Sequence, residues 1–178
     1  DTDAGTLDIY MASQTGCSYC DDIVYDNQFH CETFGTGVDG SVGTALWIVD
    51  TNMDEISCSD ANGNWFNGEV GGFQFQLFGI TVTGASGGSA EDNGFTISTY
   101  NNGVLGFSLS GGTIPSGEGS LITVLFSDFA GTEICFADND CSSGACTNVI
   151  SNAIGASVNT DWGDCYYCES GFLDCAGE

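Results

Sequence analysis

The run Val70-Gly71-Gly72-Phe73-Gln74-Phe75-Gln76-Leu77-Phe78 decides the architecture of this chain. Phe73, Phe75 and Leu77 fall on one side of an alternation whose other side carries Gln74 and Gln76, the period of two expected of a strand with one buried face. Working outward, residues 95–100 and 104–109 repeat the pattern, and 121–126 is apolar on both faces and reads as a central strand. Residues 134–136 and 147–150 supply shorter strands. Upstream, 44–49 is strand-like, and 5–11 places Leu7, Ile9 and Met11 on one face. Helix-period apolar patterns of useful length are missing, glycine is abundant and Pro115 is the only proline. About eight to ten strands, with a turn every 8–12 residues or so, predict an all-β fold of two packed sheets around one core.

Residues 12–43 fit this scheme poorly. They hold Cys17, Cys20 and Cys31 among polar residues and glycines, with Ile23-Val24-Tyr25 the one candidate for a short element. Such a stretch buries little core and is expected to depend on cross-links. It runs on, through the 44–49 strand, into an acidic, turn-rich segment from Asp50 to Gly68.

The charge balance bounds the partners. Twenty-five acidic residues face no Lys and no Arg, and His30 is the only histidine. Carboxylates that find no cation within the chain must be neutralised from outside. Calcium suits them as a hard cation with oxygen ligands, and an acidic surface adapted to high salt is the other reading. Nucleic acid and anionic lipid are not expected as ligands, since neither phosphate contacts nor a basic patch can be built without basic side chains. No stretch is long and apolar enough to insert in a membrane. Phosphate clamping, Schiff-base chemistry and Lys-Asn isopeptide bonds are excluded with the lysines. His30 is the only imidazole base and sits in no catalytic motif, and a carboxylate pair is inevitable in so acidic a chain and so says nothing about glycoside hydrolysis. The chain is read as non-enzymatic, without an organic cofactor.

The ten cysteines are Cys17, Cys20, Cys31, Cys58, Cys135, Cys141, Cys146, Cys165, Cys168 and Cys175. An even number in this context reads as disulfides in an oxidising, extracellular or cell-surface compartment. The chain opens on Asp1, which suggests a processed or excised segment. Cys17-Ser18-Tyr19-Cys20 and Cys165-Tyr166-Tyr167-Cys168, with His30-Cys31, offer a tetrahedral zinc or rubredoxin-like iron site as the alternative.

Val70-Gly71-Gly72-Phe73-Gln74-Phe75-Gln76-Leu77, Thr83-Gly84-Ala85-Ser86-Gly87-Gly88-Ser89-Ala90, Gly94-Phe95-Thr96-Ile97-Ser98, Val104-Leu105-Gly106-Phe107-Ser108 and Thr113-Ile114-Pro115-Ser116-Gly117-Glu118-Gly119-Ser120-Leu121 together resemble the cohesin-like β-sandwich domains of large modular secreted bacterial proteins. The resemblance covers residues 5–11 and about 70–160 and implies a jelly-roll-like sandwich serving as a scaffold or adhesion module. In such domains the first strand leads almost directly into the Gly-Phe-Gln-Phe strand, whereas here residues 12–69 intervene with four of the ten cysteines. The dockerin-binding surface of cohesins finds no match. The chain is accordingly divided into a sandwich, residues 1–160, that includes a cysteine-rich acidic insertion at 12–69, and a cysteine-containing C-terminal segment, 161–178.

Candidate sites follow from residue type. Asp60-Ala61-Asn62-Gly63-Asn64 alternates oxygen ligands and then allows a tight turn at Gly63, the local logic of a calcium loop, with Asp50, Asp54, Glu55 and Glu69 near enough in sequence to complete a cage. The other reading is an ordinary cluster of Asx turns. Asp138-Asn139-Asp140 is a second calcium candidate and Asp1 with Asp3 a third. Trp65, with Phe66, and Trp162, Tyr166 and Tyr167 offer rings either for stacking on a glycan or an interface, or for packing beside disulfides. The function expected is a structural or adhesive module, a subunit or repeat of a fibre or large surface protein, that self-associates or contacts neighbouring modules. The alternative is a carbohydrate-binding module using the exposed aromatics.

Overall fold

A computed structural model describes residues 5–129, 133–138 and 146–167. Contacts divide the chain into two compact units, one formed by Asp1–Ala12 with Val70–Glu178 and the other by Ser13–Glu69.

The first unit is all-β and sandwich-like. A three-stranded antiparallel sheet is ordered β1 (Thr6–Ser13), β9 (Gly117–Ser127), β6 (Thr81–Ser86). A seven-stranded sheet centres on β5 (Val70–Phe78). One edge of β5 pairs with β8 (Gly103–Phe107), which pairs with β7 (Thr96–Tyr100). The other edge is shared: β11 (Val149–Asn152) takes its first half and β10 (Glu133–Phe136) its end. Outside these lie β12 (Ser157–Val158) on β11 and β13 (Tyr166–Tyr167) on β10. A short helix, α3 (Gly88–Asp92), links β6 to β7.

Alternation sends Phe73, Phe75 and Leu77 into the core from β5, with Val104 from β8, while Ile9, Ile122, Val124 and Phe126 are buried on the three-stranded sheet. Rings run through this core in sequence: Phe95 stacks on Phe73, Phe73 on Phe75, Phe75 meets Phe136 edge-on, and Phe136 meets Trp162. Gly106 is obligatory beside them, since a Cβ there would fall inside the Phe73 ring of the paired strand. The β7–β8 hairpin closes through Asn101 and Asn102, both at positive φ, as a two-residue turn matching strand twist requires.

Where β5 passes from β11 to β10, its ladder has a gap, because the pairing Val149↔Gln74 ends one partner and Phe136↔Leu77 begins the other. Asn148 spans it. Its Oδ1 accepts from the Gln76 backbone N–H at 2.9 Å and its Nδ2 donates to the Ala137 carbonyl at 2.7 Å. At 2% exposure it is the one buried polar residue among those described, and its amide does the work of a missing strand residue.

The second unit is a three-stranded antiparallel sheet, β3 (Trp47–Asp50), β2 (Gly16–Cys20), β4 (Asn64–Phe66), with helices α1 (Gln28–Phe34) and α2 (Glu55–Asp60). Both helices start on side-chain caps: Asn27 Oδ1 accepts from the His30 N–H and Asp54 Oδ1 from the Ser57 N–H. Residues 23–25, expected as a short element, form a turn instead, with the Val24 N–H bonded to Asp22 and both Ile23 and Val24 exposed. Extended backbone there would leave these apolar side chains just as uncovered, whereas the Asx turn at Asp22 satisfies the local N–H.

Candidate binding surface and the predicted sites

In a strand, residues three apart face opposite sides. Cys17 and Cys20 both lie on β2, so the Cys-Ser-Tyr-Cys unit cannot close on one metal. Cys17 instead bridges Cys58 of α2, and Cys20 bridges Cys31 of α1, so that each helix is pinned to one face of β2. In the sandwich unit Cys135 of β10 bridges Cys165, and Cys146 is also disulfide-bonded. No cysteine among the described residues is free. Cys141, Cys168 and Cys175 lie outside the described residues. The two clusters with metal-ligand spacing, Cys20–Asp21–Cys31 and Glu133–Cys135–Cys165, spend their sulfurs on disulfides and retain one carboxylate each.

The buried apolar residues of the Ser13–Glu69 unit are Cys17, Cys20, Cys31, Cys58 and Ala45. Its interior is mostly sulfur, with Ala45 and the partly buried Tyr25 and Trp47 packed around Cys20 and Cys31, and nine large apolar side chains face outward, among them Phe29 at 69%, Phe34 at 50% and Ile56 at 76% exposure. Tyr25, Phe29, His30 and Phe34 form a ring cluster on α1 and the turn before it. Centroids are 5.7 Å apart for Phe29–His30, 5.9 Å for His30–Phe34, 6.4 Å for Phe29–Phe34 and 6.5 Å for Tyr25–His30. Sequence reading passed over these rings because α1, seven residues long with Cys31 its only buried residue, has no apolar face to detect. The exposed aromatics themselves were the available signal.

The acidic candidates are distributed over caps and turns. Asp50 accepts from the Asn52 N–H, Asp54 caps α2, and Glu69 accepts from the Asn67 amide. Glu55 opens α2 and Asp60 ends it. Asn62 and Asn64 turn their amide nitrogens to the Ile23 and Asp26 carbonyls. Among the described residues no three carboxylates lie within 4.8 Å of one another. Gly63 has a different role from the turn expected of it. The positive φ belongs to Asn62, at 54°, while a Cβ on Gly63 would press on both sulfurs of the Cys17–Cys58 bridge. Asp138 is exposed, and Asp140, Asn139, Asp1 and Asp3 lie outside the described residues.

Two carboxylates have their pKa lowered by hydrogen bonds. Asp39 is held down by the Ser41 backbone N–H and then the Thr44 hydroxyl, Asp54 by the Ser57 backbone N–H and then its hydroxyl.

The aromatic candidates separate by environment. Trp162 is half-buried against Phe136, with centroids 5.2 Å apart, and Trp65 is half-buried on β4. Tyr166 and Tyr167 on β13 are exposed. A groove of about 460 Å³ crosses the outer face of the seven-stranded sheet, lined by Gly72, Gln74, Leu105, Phe107, Val149 and Ser151 among others. None of the four predicted rings enters it.

No family model, no curated protein and no solved structure matches this chain. No helix among the described residues is long and apolar enough to cross a membrane.

Proposed function

We propose that the chain is a non-enzymatic structural or adhesive module of an extracellular or cell-surface assembly, with the Ser13–Glu69 unit as its contact surface. The observation that carries this reading is the inversion of that unit: half-cystines inside, large apolar side chains outside. A lone globule gains nothing by exposing nine large apolar side chains, Phe29 and Phe34 on α1 and Ile56 on α2 among them, whereas a unit that is covered in an assembly does. Four disulfide-bonded cysteines replace the apolar core that so small a unit lacks, as in secreted domains.

The sandwich unit takes the part of the scaffold. Its cohesin-like, jelly-roll-like identity is part of the proposal and rests on the strand motifs around Phe73, Phe95 and Phe107. Cations from solution, calcium among them, would screen the carboxylates where modules meet.

Size-exclusion chromatography with light scattering, paired with negative-stain microscopy, tests the reading on the oxidised chain at about 0.15 M salt. Oligomers or fibres that shrink when Val38, Val42 and Ile56, exposed outside α1, are replaced by Ser are expected. A monomer at all concentrations, with or without calcium, would overturn self-association as its mode.

A further inference from the structure

We infer that the aromatic face of α1 docks a polypeptide segment carrying Arg or Lys, supplied by a chain other than a copy of this one. The inference rests on the reading of the Ser13–Glu69 unit as a contact surface and names its partner.

α1 contributes only Cys31 to the interior, so Phe29, His30 and Phe34 are not placed by packing. The rings are nevertheless ordered against one another, and the Tyr25 hydroxyl donates to the Phe34 carbonyl at 3.3 Å. The Asn27 amide nitrogen lies 2.9 Å from His30 Nδ1, which ties the imidazole to the helix cap. With the Cys20–Cys31 bridge fixing the helix and Asn27 capping it, little ordering is left to be done on binding.

Charge selects the occupant. Asp22, Asp26 and Glu32 flank the rings, and the bonds they accept come from neutral donors: Asp22 from the Val24 and Thr36 N–H groups, Asp26 from the Asn27 amide, Glu32 from the Gln28 amide. Those bonds leave the negative charges in place, and the chain has no Lys or Arg to neutralise them. Ring faces carry a negative quadrupole, so rings and carboxylates together attract a cation whose aliphatic stem lies on the exposed apolar surface. A second copy of these 178 residues has no Lys or Arg to offer. Nucleic acid and anionic lipid are repelled.

The test is an NMR titration of the oxidised full chain with a peptide of alternating Gly and Arg at about 0.15 M salt, beside its citrulline counterpart and a neutral cello-oligosaccharide. Amide shifts centred on residues 25–36 with the Arg peptide alone are expected. Phe29→Leu with Phe34→Leu, which keeps apolar bulk and removes the rings, should weaken binding about tenfold. Glu118→Gln, on β9 of the sandwich unit, should not weaken it. Thiol titration verifies that the bridges survive each change. Equal affinity for the Leu variant, equal binding of the citrulline peptide, or tighter binding of the saccharide would each overturn the inference. Self-association without peptide binding would sink this inference alone and leave the proposed function standing.

Discussion

Asn148 shows how far one side chain can reach. Its amide closes the gap in the β5 ladder between the two partners of one edge, so Asn148→Ala leaves the Gln76 N–H and the Ala137 carbonyl without it in a dry place. A loss of about 2–3 kcal/mol in urea unfolding is expected. Gly106→Ala, which drives a methyl into the Phe73 ring, should cost about 1–3 kcal/mol by overpacking. Calorimetry of Gly106→Ala beside Gly119→Ala on β9, where an added methyl meets nothing within 4 Å, separates that contact from general strand propensity. Two carboxylates give a pH signature. Asp39 and Asp54 are held below their ordinary value of 3.8, so their bonds contribute stability above it, and that contribution disappears as pH falls through their lowered values. Carboxyl NMR titration should place both midpoints below 3.8. Midpoints at or above that value would refute the capping geometry.

At the scale of elements, the bridges divide their work by loop length. Cys17–Cys58 spans 41 residues and Cys20–Cys31 only 11, so chain entropy alone assigns them about 4 and 3 kcal/mol. The apolar packing of this unit surrounds Cys20 and Cys31 and not Cys17 and Cys58, so Cys17→Ser with Cys58→Ser should release the α2 and β4 amides to rapid hydrogen exchange, while the β5 and β9 amides stay protected. Uniform exchange across both units would show that they unfold as one. The strands of the sandwich unit were readable because Phe73, Phe75 and Leu77 alternate with glutamines, and Leu121 to Phe126 announces a central strand. The strand β6 was missed, its Thr-Val-Thr-Gly-Ala-Ser lacking bulky side chains, β2 because glycine, serine and two cysteines surround its one tyrosine, and β4 because three residues are too few to show an alternation. The helices escaped notice too, since a disulfide, rather than an apolar stripe, holds each of α1 and α2. As to sites, residue type singled out Asp60, Asn62 and Asn64, but whether such oxygens converge depends on the direction of each side chain, and the amides of Asn62 and Asn64 point to carbonyls.

Over the whole molecule, 25 carboxylates without Lys or Arg make the folded state sensitive to ionic strength. Raising sodium chloride from about 0.01 to 0.5 M shortens the screening length from roughly 30 Å to under 10 Å and should raise Tm. Calcium chloride matched for ionic strength is the informative comparison. A larger rise than sodium gives would reveal a divalent site, and an equal rise would assign the whole effect to screening. One further property follows from the Ser13 hydroxyl, which donates to the Gly68 carbonyl at 2.9 Å. The Ser13–Glu69 unit thus leaves the polypeptide at the point where it entered, so it is portable: spliced into a surface hairpin of an unrelated host, it should oxidise to the same two bridges and carry its ring cluster along.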